Sequence, residues 1–278
     1  MKYKALVIDL DGTLVGRGGS VSPANVAAVK EAFNAGIRVS ISTGRMPKGC
    51  DRLISELAID GLHVFYDGAL VCDIECRDVV HREPLERATA LELVHRVRER
   101  KAYLELYTDD QYSAEAEHPK AGAHTRLLGF PPSYVDLKEL ALKGSVIKAE
   151  MVMLKDSRED YALLAEFREH FQGRLRFTVA ASPVVPDVDF VNVVSSRVSK
   201  GEALRHLASH WQMGLESIAG IGDGDNDLPM LRAVGLPIAM GNATEAVKAA
   251  ARHVTETVAQ DGVASAIRRW ILNEAQDK

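Results

Sequence analysis

Cysteine is scarce in this chain, which has 278 residues but only three cysteines, Cys50, Cys72 and Cys76. A small and odd number argues against a framework of disulfide bonds, the device that stabilises many small secreted proteins. This scarcity favours a reducing compartment, and we therefore predict a cytoplasmic location. Cys72 and Cys76 are expected to be ordinary buried thiols.

Long hydrophobic runs and blocks of like charge are also missing. No apolar stretch could span a membrane, and only four apolar residues come directly before Asp9, too few for the core of a signal peptide. We therefore expect the mature chain to be the whole chain. The 34 basic and 39 acidic residues are interspersed and give a net charge of −5, so we expect neither nucleic acid nor a membrane as partner.

Hydrophobic residues make up 46% of the chain, which is enough for a large core. Near the N-terminus, apolar runs at 5–8 and 37–42 are typical of buried strands, and a stretch of helical period lies between them. Ser22 and Pro23 are suited to the N-cap and first position of this helix, and Gly36 is suited to its end. Such alternation predicts an α/β fold with a parallel sheet covered by helices.

The alternation is interrupted between about Arg82 and Phe190. This stretch contains predicted helices at 87–100, 118–128 and 158–171, and predicted strands near 103–107, 146–154 and 175–179. After Phe190 the earlier alternation resumes, and no linker rich in glycine and serine divides the chain. We therefore predict an inserted α+β unit and not two consecutive domains.

Polar clusters follow three of the predicted strands. Asp9 and Asp11 come after the first strand, 42–45 follows the second, and 222–227 follows the strand predicted at 217–221. Because ligands of open α/β sheets bind beyond the carboxyl ends of the strands, we expect these clusters to converge. Residues two apart in a strand face the same side, so Asp9 and Asp11 can face one ligand. An ordinary Asp-Gly turn would also account for this pair.

The cluster at 222–227 contains Asp223, Asp225 and Asp227. A calcium-binding loop would need glycine and glutamate where this chain has Leu228 and Val234. A dinucleotide-binding loop would place its third glycine at Asp225, where a carboxylate would repel a pyrophosphate. A helix N-terminus with an acidic first turn would explain only one or two of the carboxylates. Hard oxygen ligands suit Mg²⁺, which is the cofactor that we predict.

Two features could hold an anionic substrate. Thr43-Gly44-Arg45 offers a hydroxyl and backbone amides at a loop that enters a helix. Lys200 lies in a capping box, Ser199-Lys200-Gly201-Glu202, and hence in a helical first turn where the helix dipole disfavours a cation. The lysine is therefore either a ligand for an anion or a solvated surface residue.

With these motifs the chain resembles the haloacid dehalogenase superfamily, in particular its Cof-like phosphatases. Four family motifs occur in order: Asp9-Leu10-Asp11-Gly12-Thr13, Thr43-Gly44-Arg45, Lys200 with its neighbours, and Gly222-Asp223-Gly224-Asp225-Asn226-Asp227. The resemblance implies a Rossmann-like parallel-sheet core at residues 1–81 and 191–278, with an inserted α+β cap domain at 82–190 that selects the substrate. The chain departs from the family at Asp67-Gly68-Ala69, where Asn-Gly-Ala is usual.

The resemblance also implies a role for each site residue. Asp9 would attack phosphorus, and Asp11 would serve first as general acid and then as general base. Mg²⁺ would be bound by the side chains of Asp9 and Asp223 and by the backbone carbonyl of Asp11, while Asp227 would orient Lys200 or a water on the metal. The phosphoryl group and the rest of the substrate would be held by Leu10, Thr43, Gly44, Arg45, Lys200 and Asn226.

The expected activity is Mg²⁺-dependent hydrolysis of a small phosphorylated metabolite, with a sugar phosphate as the first candidate. Pyridoxal phosphate, flavin mononucleotide and phosphoglycolate are further candidates. One alternative is a phosphomutase or phosphotransferase, which would pass the phosphoryl group to an acceptor other than water. Another is a non-catalytic regulatory protein of the same fold, which would usually lack Asp9, Asp11 or Lys200. All three residues are present.

Overall fold

The computed structural model describes residues 2–16, 18–181 and 185–273 and has the α/β architecture expected from the sequence. The chain folds into two compact units. One unit is built from Met1–His81 together with Ser199–Lys278, and the other is the segment Arg82–Val198 that is inserted between them.

The strands form two separate sheets, one in each unit. In chain order the strands are β1 (Ala5–Asp9), β2 (Arg38–Ser42), β3 (His63–Phe65), β4 (Leu70–Cys72), β5 (Val79–Arg82), β6 (Glu105–Tyr107), β7 (Tyr112–Ala114), β8 (Ser133–Tyr134), β9 (Lys148–Leu154), β10 (Leu175–Ala181), β11 (Val188–Ser195), β12 (Ile218–Gly222), β13 (Leu236–Ala239) and β14 (His253–Val254). The sheet of the first unit has the order β14-β13-β12-β1-β2-β3-β4-β5, and the sheet of the second unit has the order β10-β11-β9-β6-β7-β8.

Helices flank both sheets. They are α1 (Pro23–Asn34), α2 (Asp51–Leu57), α3 (Arg87–Glu99), α4 (Pro119–Leu128), α5 (Leu137–Leu142), α6 (Arg158–His170), α7 (Lys200–His210), α8 (Leu228–Leu231), α9 (Glu245–Ala250) and α10 (Gly262–Ala266), the last continued by a π-helical turn at Ile267–Leu272. As predicted for α1, the Ser22 side chain accepts a hydrogen bond from the Asn25 amide at its start. Within the described residues, no helix has both the length and the hydrophobicity that membrane crossing requires.

Strand β1 occupies the middle of the parallel part of the first sheet. It pairs in parallel with β12 on one side and β2 on the other, with Ile8 opposite both Ile221 and Ile41 and Asp9 opposite Ser42. All five residues of β1 are buried, so the strand is anchored on both faces. The carboxyl ends of β12, β1 and β2 consequently lie side by side, which brings the three polar clusters to one edge of the sheet.

The second unit has a mixed sheet, since β10, β11, β9, β6 and β7 pair antiparallel and β8 pairs in parallel with β7. Leu93 of α3 and Phe167 of α6 belong to the same hydrophobic core as Leu106 and Val191 of the sheet. This unit is therefore an α+β layer with its own core, separate from the core of the first unit.

The second boundary of the insertion differs from the predicted one. The chain enters the second unit after His81 and returns to the first unit at Ser199, whereas the sequence analysis placed the return at residue 191. The reason is β11, which pairs over its whole length with β10 and β9 of the second sheet. The apolar residues of β11 resemble those of the strands in the first sheet. The composition of β11 therefore does not show which of the two sheets the strand joins.

Candidate active site

Lys200 lies at the centre of a buried polar cluster at the ends of β1, β2 and β12. Its Nζ atom is 2.6 Å from Asp9 Oδ1, 2.6 Å from Asp227 Oδ1 and 3.2 Å from the Ser42 carbonyl oxygen. An ammonium group has three donors, and each has an acceptor here. The side chain is only 1% exposed, which excludes the solvated surface lysine.

The start of α7 places Lys200 in this position. The Ser199 side chain accepts a hydrogen bond of 3.0 Å from the Glu202 amide and so caps the helix. The helix start packs tightly against the turn between β3 and β4, because a Cβ atom added to Gly68 would lie 2.3 Å from the Ser199 carbonyl oxygen. Only glycine permits this approach, so Gly68 indirectly determines where the lysine points.

Asp227 is completely buried and holds the loop that follows β12. One carboxylate oxygen accepts from Lys200, and the other accepts from the amides of Asp223 at 2.9 Å and Gly224 at 3.0 Å. Both oxygens therefore have protein partners. The arrangement suits a residue that positions Lys200 and the loop.

Asp223 is oriented by residues of two other loops. Its Oδ1 accepts a hydrogen bond of 2.9 Å from the Thr13 hydroxyl, and its Oδ2 lies 3.2 Å from Asn242 Nδ2. The Asn242 amide group also donates to the Gly12 carbonyl oxygen at 2.8 Å. Gly12 has a φ of +91°, and a Cβ atom there would lie 2.3 Å from Asp223 Oδ2. The backbone of the loop after β1 therefore packs directly against the Asp223 carboxylate.

The cluster carries more negative than positive charge. Asp9, Asp223 and Asp227 each offer an oxygen within 4.8 Å of the others, while Lys200 supplies one positive charge. Burial raises the pKa of Asp9 well above its ordinary value, and Asp227 and Asp223 raise it further against the effect of Lys200. Burial and Asp227 likewise raise the pKa of Asp223, to about 6, despite the hydrogen bond from Thr13. A divalent cation with oxygen ligands fits this donor set, because it would offset the excess charge.

Asp11 has a different partner from the other carboxylates. The Arg45 guanidinium binds it in a bidentate manner, with Nε 2.9 Å from Oδ2 and a terminal nitrogen 2.5 Å from Oδ1. The Asp11 side chain is 55% exposed. The structure thus brings Asp11 and Arg45 together on the open side of the site, a contact that the sequence did not predict.

The remaining predicted phosphate-binding residues lie around Asp67. Thr43 is buried, and its hydroxyl accepts from the Arg45 amide at 3.1 Å. Asn226 donates from Nδ2 to Asp67 Oδ1 at 2.9 Å, and a Cβ atom added to Gly44 would come within 3.2 Å of the same carboxylate. Asp67, the departure from the usual asparagine, is therefore part of the site.

Only the backbone of Leu10 is positioned to take part in the site. Its side chain is completely buried in the core, and its carbonyl oxygen accepts from the amides of Leu14 at 2.9 Å and Val15 at 2.8 Å. These bonds fold the loop after β1 into a tight turn. Any contact of Leu10 with a phosphate must come from its backbone N–H group.

Comparison with known proteins agrees with this geometry. The family model of haloacid dehalogenase-like hydrolases matches residues 6–267, which is nearly the whole chain. The chain belongs to the haloacid dehalogenase-like hydrolase family. Within it the chain falls in the Cof-like group, as its motifs indicated.

Three similar proteins illustrate the relationship. The chain is 27% identical to the pyridoxal phosphate phosphatase YbhA of Escherichia coli, with 98% of this chain and 100% of the relative covered. It is 26% identical to the 5-amino-6-(5-phospho-D-ribitylamino)uracil phosphatase YcsE of Bacillus subtilis, with 97% and 96% covered. A crystal structure of a haloacid dehalogenase-like hydrolase from Bacteroides thetaiotaomicron superimposes with a TM-score of 0.82, at 27% identity over 96% of this chain and 99% of the other.

Sequence reasoning missed three residues of this haloacid dehalogenase-like site. Thr13 was present in the first motif but had no role, Asn242 was also given no role, and Asp67 was noted only as a departure. Each is a polar residue in a loop that directly follows a strand. If polar residues in every loop that follows the carboxyl end of a strand had been taken as candidates, these three residues would have been among them.

Proposed function

We propose that this haloacid dehalogenase-like phosphatase hydrolyses small phosphomonoesters through a covalent phosphate on Asp9, with Mg²⁺ as cofactor. The contact of 2.6 Å between Asp9 Oδ1 and the buried Lys200 ammonium is the observation that carries the proposal. An ionised carboxylate repels a phosphate dianion, and a fixed positive charge beside it reduces that repulsion. Positioning and charge neutralisation are what phosphoryl transfer mainly requires.

Asp9 and Asp223 would hold Mg²⁺ with their side chains, and Asp11 would hold it with its backbone carbonyl. When bound, the ion would offset negative charge on the cluster and on the substrate. Asp227 is better suited to positioning, because its two oxygens already bind Lys200 and the amides of Asp223 and Gly224. Thr13 and Asn242 would keep the Asp223 carboxylate in place.

The reaction would proceed in two steps on this framework. In the first, an Asp9 oxygen bonds to phosphorus, the bond from phosphorus to the leaving oxygen breaks, and Asp11 gives that oxygen a proton. In the second, water attacks phosphorus, Asp11 takes up a proton from the water, and the bond to Asp9 breaks to release inorganic phosphate. Asp11 would have to leave Arg45 for these transfers, and its exposure leaves it room to do so.

The transferring phosphoryl group would be held by donors from three loops and from the start of α7. They are the backbone N–H groups of Leu10 and Gly44, the Thr43 hydroxyl, the Lys200 ammonium and the Asn226 amide, with Arg45 toward the rest of the substrate. The hydrogen bond from Asn226 to Asp67 fixes the Asn226 side chain. The loop after β1 is anchored by a completely buried strand, which favours a preorganised site.

The substrate class is supported by the relatives. YbhA is named for pyridoxal phosphate and YcsE for a phosphoribitylamino-uracil, both of them small phosphomonoesters. We place this chain's substrate in the same class, with a sugar phosphate as the first candidate. The second unit would act as the cap that selects among such substrates.

A panel of phosphomonoesters with Mg²⁺, assayed for released inorganic phosphate, tests the proposal. We expect release from several compounds without an added acceptor. A requirement for a second metabolite as acceptor would instead indicate a phosphotransferase or phosphomutase. Binding of the compounds without any turnover by the folded protein would indicate a regulatory role.

A further inference from the structure

Cys72 and Cys76 lie in contact, a pairing that was not predicted from the sequence. Cys72 is the last residue of β4, and Cys76 lies in the turn between β4 and β5. Their Sγ atoms are 3.0 Å apart. Bonded sulfur atoms in a disulfide are about 2.05 Å apart, so an approach of about 1 Å separates this contact from a covalent bond.

The turn itself holds the two thiols together. The Asp73 side chain accepts hydrogen bonds from the amides of Arg77 at 2.6 Å and Asp78 at 3.1 Å. The Asp73 backbone bonds to both ends of the turn, since its N–H donates to the Asp78 carbonyl and its carbonyl accepts from the Cys76 amide. Cys76 has a φ of +53°, a conformation that this network maintains. The pairing therefore needs little further ordering of the chain.

The three thiols differ in their access to solvent. Cys76 is partly exposed, whereas Cys72 and Cys50 are buried. Burial also raises the pKa of Cys50 to about 12, so this thiol rarely forms the reactive thiolate. An oxidant in solution can reach Cys76 first, and Cys72 then lies in contact as the resolving partner.

We propose that Cys72 and Cys76 are a modification site at which a peroxide forms a reversible intrachain disulfide. In the first step, the Cys76 sulfur attacks one oxygen of hydrogen peroxide, the O–O bond breaks, and one water leaves. In the second, the Cys72 sulfur attacks the resulting sulfenic acid, the S–O bond breaks, and the hydroxyl group leaves as water with the Cys72 proton. Two thiols are oxidised to one disulfide, and one peroxide is reduced to two waters. The sequence analysis expected Cys72 and Cys76 to be ordinary buried thiols, whereas Cys76 is partly exposed and touches Cys72.

Thiol counting by mass spectrometry on the full chain tests the proposal. The folded protein is treated with hydrogen peroxide, quenched, unfolded and alkylated with iodoacetamide. We expect three alkylated cysteines before oxidation and one afterwards, with dithiothreitol restoring three. Trypsin leaves both Cys72 and Cys76 in the peptide 53–77, which should carry two carbamidomethyl groups before oxidation and none afterwards. The oxidised peptide should be two hydrogen atoms lighter than the unalkylated dithiol peptide.

Two variants serve as matched controls. Cys50→Ser should still lose both of its alkylation sites on oxidation, because Cys50 takes no part in the bond. Cys76→Ser changes a partly exposed side chain and should keep its two sites before and after treatment. Retention of all three sites in the oxidised wild type, a bond to Cys50, or a bond between two chains would overturn the proposal.

Discussion

Each of the two units contains a buried cluster of charged residues, and the two clusters are built on opposite principles. In the first unit, the carboxylates of Asp9, Asp223 and Asp227 lie close together, and the Lys200 ammonium bonds to those of Asp9 and Asp227. Burial, helped by Asp227, raises the pKa of Asp9 there. The cluster keeps an excess of negative charge, which costs stability unless a cation binds.

In the second unit the charges are matched. Glu105 accepts from His124 Nδ1 at 2.5 Å, His124 Nε2 lies 3.4 Å from Glu150 Oε1, and Lys148 bonds to the other oxygen of Glu150. Burial works against the charge on Glu150, but Lys148 and His124 outweigh it and lower its pKa. Tyr103 and Tyr107 donate to Glu105 as well.

Buried charge alone therefore does not mark an active site. A set whose positive and negative charges balance stabilises the fold, whereas a set with unmatched charge is suited to bind a ligand of opposite charge. The first cluster should therefore control turnover and metal binding, and the second should control stability. The following predictions test this division.

Asp9→Asn should have the largest effect. It preserves the shape of the side chain but removes the nucleophile, so we expect kcat to fall by ~10³-fold or more. Steady-state kinetics would measure the loss, and circular dichroism would verify the fold. A folded variant that keeps a tenth of the wild-type rate would show that Asp9 is not the nucleophile.

Asp11→Asn should separate substrates by their leaving groups. A sugar alkoxide needs a proton to depart and p-nitrophenolate hardly does, so kcat/KM should fall by about 10² to 10⁴ for a sugar phosphate. The loss for p-nitrophenyl phosphate should be much smaller. Because kcat/KM extends only to the first irreversible step, the later role of Asp11 as base does not obscure the difference. Equal losses with normal Mg²⁺ binding would contradict the proton transfer.

His124→Gln should weaken the second unit instead. Removing one partner of a buried charged network typically costs about 3 to 5 kcal/mol of unfolding free energy. Denaturant unfolding of the wild type and the variant would measure this. Glu105→Gln offers a matched comparison in the same network. A variant as stable as the wild type would remove the structural role that we assign to the matched cluster.

The stability difference between wild type and His124→Gln should also depend on pH. Burial lowers the pKa of His124, but Glu150 and Glu105 outweigh it and raise the pKa above the ordinary value, with Lys148 opposing them. A histidine whose pKa is raised by folding stabilises the folded state. This stabilisation is complete below the pKa of the unfolded chain, about 6.5, and it is lost as the pH rises through the pKa of the folded protein. The difference should accordingly shrink at alkaline pH. If the stability difference between wild type and variant stayed constant from acidic to alkaline pH, protonation of His124 could not be its cause.

Mg²⁺ should give the smallest effect. A ligand that binds only the folded state at a hundred times its Kd raises the unfolding free energy by about 2.7 kcal/mol. We expect this gain in the wild type and in Glu105→Gln, and we expect Asp223→Asn to lose most of it. Thermal unfolding with and without Mg²⁺ would show it. Equal stabilisation of all three proteins would mean that the ion binds elsewhere.

Much of this site followed from the sequence because its motifs lie directly after strands. Asp9, Asp223 and Asp227 are adjacent in the structure although up to 218 residues separate them in the chain. Parallel strands that pair side by side bring such loops together, and the order of motifs sufficed to predict it. The short elements α5, β7 and β8 were not predicted, because they have too few residues to show a clear hydrophobic period.

Local features of the sequence predicted the α/β class, the inserted unit and many of the residues that meet at the strand ends, because hydrophobic period and strand-end motifs are local properties. Three contacts became visible only in the folded chain: Lys200 is buried between Asp9 and Asp227, Arg45 binds Asp11, and Cys72 touches Cys76. These contacts depend on how helices and turns pack, as at Gly68 against Ser199. Packing is a property of the whole chain, so no single segment specifies it.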